Sequence, residues 1–366
     1  MGSDIQVYEL TKKMLLHSLS EHSFWGNSLI PFPKSKLHWI ANNERIADDD
    51  YCLLVITSDN KIASFIYLLP DLMNLKDGSH KKIYWLISWW LHKDFKDTIL
   101  GSFLFNRAME LADNKILIKF YAEHIAEFYN KLPFQQIASR YRYTLFFSLD
   151  SDMIIGKFRF IGKFKSLLKI PDYFSRSLYR FINKKKLSHH SKVKFEYLSK
   201  IDDSTWDFLK ENCKNDLIYK TRSYVDWQID NSQYTQILNS HNHLYRSIET
   251  GMSPNIYVHN IKIVEDNTVI GFISFIHNFN ECNIKYFVVQ EGEGYYENCV
   301  SVLIDNFIKT GATYIFTDDS ILAETIKKKF STVYTHKVIK KGLAHKQIDL
   351  KPEDYHTMLD RDGHFY

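Results

Sequence analysis

Long apolar runs are missing from this sequence of 366 residues. No stretch approaches the roughly 18 uninterrupted apolar residues of a membrane-spanning helix. The longest apolar-looking run, Ile83 to Leu91, contains Tyr, Trp and Ser, and the first, Met14-Leu15-Leu16, is too short for the core of a secretory leader. We therefore expect no transmembrane helix, no leader and a cytoplasmic location.

Cysteine is scarce. The four cysteines, Cys52, Cys213, Cys282 and Cys299, lie far apart and form neither a C-x-x-C pair nor a Cys/His pattern with zinc-ligand spacing. We expect buried, reduced thiols and no bound metal.

Acidic residues are almost absent from one segment, although the net charge of the whole chain is only +4. Between Lys157 and Lys194 there are twelve Lys or Arg and a single acid, Asp172. Because the basicity is local, it argues against a protein that coats nucleic acid. Apolar residues at helical spacing on either side of Pro171 predict two short amphipathic helices interrupted by this proline.

The rest of the chain has ordinary globular composition, with 45% hydrophobic, 25% charged and 15% aromatic residues. The abundance of Lys, Asn, Ile, Tyr and Phe is typical of an AT-rich bacterial genome. Strand and helix patterns occur twice in the same order, which predicts a tandem arrangement. We place the first domain at residues 1–150, a basic helical connector at 151–193 and the second domain at 194–366.

In the first domain, a strand, a loop and a helix start follow one another. Residues 82–92 are aromatic and β-branched, as in a strand, and residues 97–111 have apolar side chains at helical spacing. The free backbone N–H groups of a helix start attract anions. Gly101, in the first turn, lets the backbone approach a pyrophosphate closely. The sequence therefore predicts an anion-binding loop over residues 96–102.

This loop resembles the signature of the GNAT superfamily of acyl-CoA-dependent N-acyltransferases, in which a strand ending near V-x-P precedes R/Q-x-x-G-x-G/A. Here Leu91-His92-Lys93-Asp94-Phe95 stands at the strand exit, and Lys96-x-x-Ile99-x-Gly101 occupies the loop. Lys96 replaces the usual Arg or Gln and keeps a positive charge. Ile99 replaces the first Gly and removes one position of close approach.

A second segment resembles the same family. The run from Ala126 to Phe134 is similar to A-x-x-F-Y-x-K-x-G-F, with Pro133 in place of Gly. In the family, the Tyr of this segment often protonates the departing CoA thiolate, and Tyr129 matches it. The alternative is that Tyr129 and Phe134 are core aromatics and that Gly101 only packs a helix.

The resemblance implies an α/β (α+β) fold of two GNAT-like domains, each a mixed, mostly antiparallel twisted sheet flanked by helices. It implies acetyl-CoA as co-substrate and a backbone N–H of the fourth strand, near Trp89 to Leu91, that polarises the thioester carbonyl. Candidate bases are Glu123, His124 and His92. The residues implied in CoA binding are Trp89, Trp90, Leu91, Lys96, Asp97, Thr98, Ile99, Leu100, Gly101 and Ser102.

The second domain has no CoA-type loop by sequence, because Glu291-Gly292-Glu293-Gly294 is acidic. Two of its clusters resemble segments of polysaccharide-linked tandem acyltransferases, one around Arg222 and Trp227 and the other around Asp360 and Asp362. These four residues are candidates to hold a polar substrate. The alternative is a solvated helix face and a frayed tail.

The function predicted first is N-acetyl transfer from acetyl-CoA to an amine of a small polar substrate, such as an amino sugar of a surface polysaccharide. Two alternatives are a non-catalytic binding protein with a decayed CoA site and a Fem-like aminoacyl transferase whose basic connector holds RNA. The connector is expected either to contact an anionic membrane surface or lipid-linked substrate, or to pack between the two domains.

Overall fold

Twelve strands form one sheet in the part of the chain that the computed structural model describes, which comprises residues 4–21, 34–59, 61–149, 163, 165–187, 193–235, 253 and 255–363. The strand order across the sheet is β1-β2-β3-β4-β5-β12-β6-β11-β10-β9-β8-β7. The strands are β1 (Ile5–Thr11), β2 (Tyr51–Ser58), β3 (Lys61–Asn74), β4 (His80–Leu91), β5 (Ile116–Ile118), β6 (Phe134–Phe146), β7 (Lys194–Tyr197), β8 (Tyr257–Glu265), β9 (Thr268–Asn278), β10 (Glu281–Val289), β11 (Tyr314–Thr317) and β12 (Tyr334–His345).

Helices cover both faces of this sheet. Among the described residues they are α1 (Lys12–Glu21), α2 (Lys34–Ala41), α3 (Leu100–Leu111), α4 (Ala126–Asn130), α5 (Lys165–Leu187), α6 (Asp203–Asn212), α7 (Arg222–Ile229), α8 (Tyr295–Thr310) and α9 (Ser320–Lys329). None of these helices is long and apolar enough to cross a membrane.

Most strand pairs are antiparallel. The two parallel pairs between described strands are β4 with β5 and β10 with β11. The fold is therefore mixed α/β with a large, mostly antiparallel sheet flanked by helices, as predicted.

The last strands of the two predicted domains are exchanged. Strand β6 ends the first half of the chain, yet it lies between β11 and β12 of the second half. Strand β12 in turn lies between β5 and β6. Strands β6 and β12 are paired from Tyr334↔Phe146 to His345↔Phe134 and form a long central ribbon. Consequently the two halves share one sheet. The domain boundaries proposed above stay predictions from the sequence.

A further contact ties the second half to the first. Helix α7 packs its buried face on the first half, where the Trp227 ring stacks on the Trp39 ring at a centroid distance of 4.1 Å. Each of the two indole N–H groups donates to the backbone oxygen of the other residue at 2.6 Å. Both aromatic surfaces are thus buried with their polar atoms satisfied.

Several sequence predictions need correction. The connector is one helix through Pro171, not two. A proline inside a helix removes one N–H donor and costs roughly 3 kcal/mol, but here the following turns pack on the second half. The sequence pattern favours a strand only over residues 141–147, whereas β6 begins at Phe134, and the short strand β7 has no recognisable pattern. The first part of β6 and the short β7 are rich in polar residues, and pairing with distant segments stabilises them as strands.

Candidate functional site

Strands β4 and β5 open into a wedge. They are paired only at Tyr84↔Ile116 and Trp85↔Leu117, and β4 then continues to Leu91 while β5 ends. Just past the last pair, β4 contains a bulge at Ser88, whose φ of 53° lies in the left-handed region. A bulge re-aims the backbone locally. The backbone of β4 that was expected to polarise a thioester therefore has no β5 residue paired with it.

The predicted anion-binding loop lies at the end of this wedge. Helix α3 begins at Leu100, and the residue before it, Ile99, makes no side-chain cap and is 78% exposed. Lys96, Asp97 and Thr98 are also exposed. The helix start is therefore open to solvent on the side where a phosphate would approach.

Gly101 brings the helix start against the end of β4. A Cβ at this position would lie 3.1 Å from a methyl carbon of Leu91, closer than an ordinary contact, so Leu91 would have to shift. This contact shows that Gly101 packs helix α3 against β4, which was the alternative to a role in anion binding. It also holds the loop next to Trp89 and Leu91, two of the predicted CoA contacts.

Aromatic rings occupy the interior of the wedge. The Trp89 ring lies 5.0 Å from that of Phe105 on α3 and 5.3 Å from that of Phe128 on α4. The Trp89 indole N–H is buried without a hydrogen-bond partner. The Trp89 ring therefore fills the space between β4 and α4, and its unsatisfied N–H lowers the cost of moving it.

Tyr129 belongs to the same aromatic group. It is 4% exposed, and its ring lies 5.1 Å from that of Tyr121. Burial raises the pKa of Tyr129 above its ordinary value. The phenol therefore stays protonated across the physiological range, which an acid requires. Its packing also agrees with the alternative of a core aromatic.

The candidate bases are spread out. Glu123 is exposed at the start of a short 3-10 turn after β5. His92 is buried, and its Nδ1 accepts from the backbone N–H of Asp94 at 3.3 Å. The side chain of His124 lies outside the described part of the structure. Where these three residues lie does not decide whether any of them acts as the predicted base.

Strands β10 and β11 open into a second wedge. They are paired from Glu281↔Tyr314 to Asn283↔Phe316 and then diverge. Lys285 is the bulged residue of β10, directly past the parallel pairs, as Ser88 is in β4. Its side chain is 1% exposed, and Nζ donates to the backbone oxygen of Gln228 at 2.6 Å. Burial lowers the pKa of Lys285 to about 7.

An open cleft occupies this second wedge. Its volume is ≈ 320 Å³, and its walls come from β10, the start of α9, the ribbon and the C-terminal segment. Cationic and anionic side chains both reach it. The polar and charged residues that line it are Arg140, Lys285, Asp318, Asp319, Ser320, Thr357, Asp360 and Arg361.

The carboxyl ends of β5 and β11 approach the ribbon from opposite directions. Three successive antiparallel pairings separate these strands, so they run in opposite senses. Arg140, on β6, lies between them. Its Nε donates to Asp318 after β11 at 2.6 Å, and a terminal nitrogen donates to the backbone oxygen of Lys119 after β5 at 3.3 Å. One arginine therefore links the ends of the two wedges.

Charges are concentrated at this junction. Asp318 also accepts from Nε of Arg142 at 2.7 Å. Although burial acts against ionisation, the two arginines hold the pKa of Asp318 below its ordinary value. Asp318 is thus a fixed negative charge. Breaking such a buried pair is strongly destabilising because it leaves an uncompensated charge.

Asp360 and Lys119 face each other at the same place. Lys119 Nζ donates to the backbone oxygen of Asp360 at 2.5 Å, and the Asp360 carboxylate accepts from Thr317 and from the backbone of Asp318. Burial and the neighbouring Asp318 raise the pKa of Asp360 to about 7. Burial and Arg140 lower the pKa of Lys119. Two groups that titrate near neutrality therefore adjoin the cleft, as is common at functional sites.

The other predicted substrate residues do not line the cleft. Asp362 is fully buried and accepts from the backbone of Ile218 and from Lys220, so the predicted frayed tail is wrong. Trp227 is a core residue against Trp39. Arg222 donates to Ile201 and Asp203 near the surface. Of these four candidates, the structure brings only Asp360 to the cleft.

Sequence reasoning missed Lys119, Arg140, Lys285 and Asp318. Three of them had a weak signal in the sequence. Lys285 interrupts an apolar strand, Asp318 directly follows a strand, and Lys119 follows β5. No local pattern joins these positions, because the exchange of β6 and β12 brings them together. Among the described residues, no group of three or more His, Cys, Asp or Glu side chains could hold a metal ion. The four cysteines are buried and free, as predicted.

No protein-family model and no curated protein sequence matches the chain. Among solved structures, it is similar to a GCN5-related N-acetyltransferase from Kribbella flavida, with a TM-score of 0.45 and 9% identity over 93% of this chain and 71% of that one. It is also similar to a GCN5-related N-acetyltransferase from Anabaena variabilis, with a TM-score of 0.47 and 9% identity over 93% of this chain and 72% of that one. For a Pyrococcus horikoshii protein provisionally assigned as an acetyltransferase, the TM-score is 0.47 and the identity is 12%. The match covers 98% of this chain and 96% of that one. Likenesses at this level leave the reaction to be argued from the residues of the chain itself.

Proposed function

We propose that this protein is an acyl-CoA-dependent N-acyltransferase that moves an acetyl or other acyl group to the amine of a small polar substrate. The observation that carries the proposal is the junction at Arg140, where the ends of two opened strand pairs meet beside an open, charged cleft. One wedge has the exposed helix start that suits a pyrophosphate, and the other has the space and charge that suit an amine.

The donor side is the first wedge. The phosphates of CoA bind at residues 96–102, where Lys96 supplies charge and the start of α3 supplies N–H donors. The pantetheine arm follows β4 once Trp89 has moved, and the thioester carbonyl accepts from the backbone near the Ser88 bulge. Tyr129 lies behind this position and donates a proton to the sulfur as it leaves.

The acceptor side is the cleft. Asp319 attracts the ammonium form of the substrate, and Asp360 takes the proton that the nitrogen must lose. The amine nitrogen then attacks the carbonyl carbon, a C–N bond forms and the C–S bond breaks. The products are an amide and CoA. An amino sugar of a surface polysaccharide has the size and polarity for such a cleft and is the acceptor that we propose to test first.

A non-catalytic binding protein is the second candidate. Two observations favour it, the Trp89 ring that fills the first wedge and Ile99 in place of a loop glycine. In this case the protein binds a ligand in the cleft and releases no CoA.

The two functions are separated by an assay for free thiol with acetyl-CoA and a panel of amino sugars. We expect release of CoA that depends on the acceptor and falls at least tenfold in Lys96→Glu, because the new carboxylate repels the phosphates. The charge-matched control is Lys115→Glu, because Lys115 lies beyond the far end of α3. Lys93→Glu would not serve as a control, because Lys93 lies next to the loop under test. No release of CoA above the protein-free rate with any amine of the panel supports the binding protein.

A further inference from the structure

Helix α5 exposes a continuous apolar stripe. Five large side chains lie within a sector of roughly 80° at 100° per residue, and each is more than half exposed. Their exposed fractions are 62% for Leu167, 54% for Ile170, 67% for Phe174, 55% for Leu178 and 57% for Phe181. Scattered apolar residues on a surface are ordinary, whereas a contiguous row marks an interaction site.

The opposite face of α5 is already used. Asn183 exchanges two hydrogen bonds with the backbone of Ser331, at 2.8 and 3.0 Å, and Arg176 donates to the backbone oxygen of Gly311. The Ser175 hydroxyl accepts from the backbone of Leu149 at 3.0 Å. These contacts fix the rotation of the helix on the second half and point the stripe away from it. One face of the helix is thus packed on the body of the protein, and the other is exposed.

The charges beside the stripe have one sign. Lys184 and Lys185 project in the same direction as the stripe, and the Lys185 ammonium lies 4.4 Å from the centre of the Phe181 ring. Lys163 and Lys169 are exposed near its other end. Asp172, the one acid in α5, lies toward the packed face and is less exposed. A partner for this face must therefore accept apolar side chains and carry negative charge.

We propose that the exposed face of α5 binds the surface of an anionic lipid bilayer, with the apolar stripe in the acyl boundary and the lysines among the headgroups. A helix with this division of apolar and basic side chains lies in the plane of an interface, and each basic residue near an anionic surface adds to the attraction. A second copy of the chain fits less well. Two such faces in contact would place lysines against lysines without an acid to pair with them.

Flotation of the full-length protein with vesicles tests this proposal. We expect binding to vesicles of phosphatidylcholine with phosphatidylglycerol, little binding to phosphatidylcholine alone, and release as NaCl is raised. Phe174→Ser/Leu178→Ser should weaken binding by roughly tenfold or more because two buried apolar contacts are lost. Lys184→Gln/Lys185→Gln should weaken it mainly at low salt.

The matched control is Ile5→Ser/Val7→Ser, which removes two exposed apolar side chains from the edge strand β1. It should bind vesicles as the wild type does. Wild-type protein that stays unbound with anionic vesicles at low salt overturns the proposal, as does undiminished binding by the serine variant of α5. A wild-type dimer that the same variant makes monomeric, without vesicle binding, would instead identify a second copy as the partner.

Discussion

At the scale of single residues, the fold moves the pKa values of several ionisable groups beside the cleft toward neutrality. Asp360, Lys119 and Lys285 are ordinary surface types in sequence, yet all three adjoin the cleft. Desolvation disfavours the charged form of each group, which raises the pKa of the acid and lowers that of the lysines. A carboxyl that titrates near 7 can accept a proton from an amine at physiological pH and then release it to water.

The pH dependence of turnover tests the role of Asp360. Because its pKa is raised to about 7, the carboxylate that we propose as the base forms only as the pH rises through that value. The protonated form is favoured by the fold, so this group also makes the protein less stable as the pH rises from about 4, its usual pKa. We expect kcat/KM to rise with pH up to an inflection near 7 and then to level.

Asp360→Asn should remove this inflection and lower kcat by about 10²–10⁴-fold. The control is Asp305→Asn, which breaks an exposed ion pair with Lys309 on α8 and should leave the profile unchanged. If the pH profile of kcat/KM for Asp360→Asn keeps the wild-type inflection, another group is the base. Lys119 is then the next residue to substitute.

At the scale of elements, the C-terminal segment positions the site. Gly363 has a φ of 58°, and a Cβ there would lie 2.6 Å from a ring carbon of Trp85 in β4. Asp362, one residue earlier, is tied to Lys220 and to the backbone of Ile218. These anchors hold the segment across both halves and place Asp360 against β11.

Gly363→Ala should therefore destabilise the protein and impair the site together. The added methyl group meets Trp85, and the left-handed backbone costs a further 1–2 kcal/mol or so. Gly78→Ala is the matched control, because Gly78 also has a positive φ but has open space around it. Thermal unfolding should show a larger loss for Gly363→Ala than for Gly78→Ala. Equal losses would mean that the contact with Trp85 contributes nothing.

The elements also show what could be read from sequence. The strands and helices of the first half follow apolar periodicity, and α3 was predicted within three residues of its start. The polar first half of β6 was missed because its residues alternate weakly and are stabilised by β12, some 200 positions away. Pro171 was given too much weight, since packing of the later turns of α5 outweighs one lost backbone hydrogen bond.

At the scale of the molecule, the exchange of β6 and β12 joins the halves into one sheet. Removing either half would leave a central strand without a neighbour, so the halves should not unfold independently. We expect one calorimetric transition whose van't Hoff and calorimetric enthalpies agree. Two separated transitions would show that the ribbon does not couple the halves.

The exchange also explains why the site was only partly predictable. The proposed CoA loop at residues 96–102 is local, so its residues could be recognised together by spacing. The cleft needs Arg140 from β6, Asp318 from after β11 and Asp360 from the C-terminal segment, and no periodicity connects them. Only the register of the ribbon brings these side chains within hydrogen-bonding distance.

Titration of the protein with acetyl-CoA, followed by calorimetry, tests the central claim most directly. We predict saturable binding in the micromolar range by the wild type and a melting temperature that rises with ligand, since a hundredfold excess over Kd stabilises the fold by about 2.7 kcal/mol. Lys96→Glu should bind more weakly, Trp89→Ala at least as tightly because the wedge is then open, and Lys115→Glu like the wild type. No heat and no change in melting temperature for wild type and Trp89→Ala alike would contradict the account.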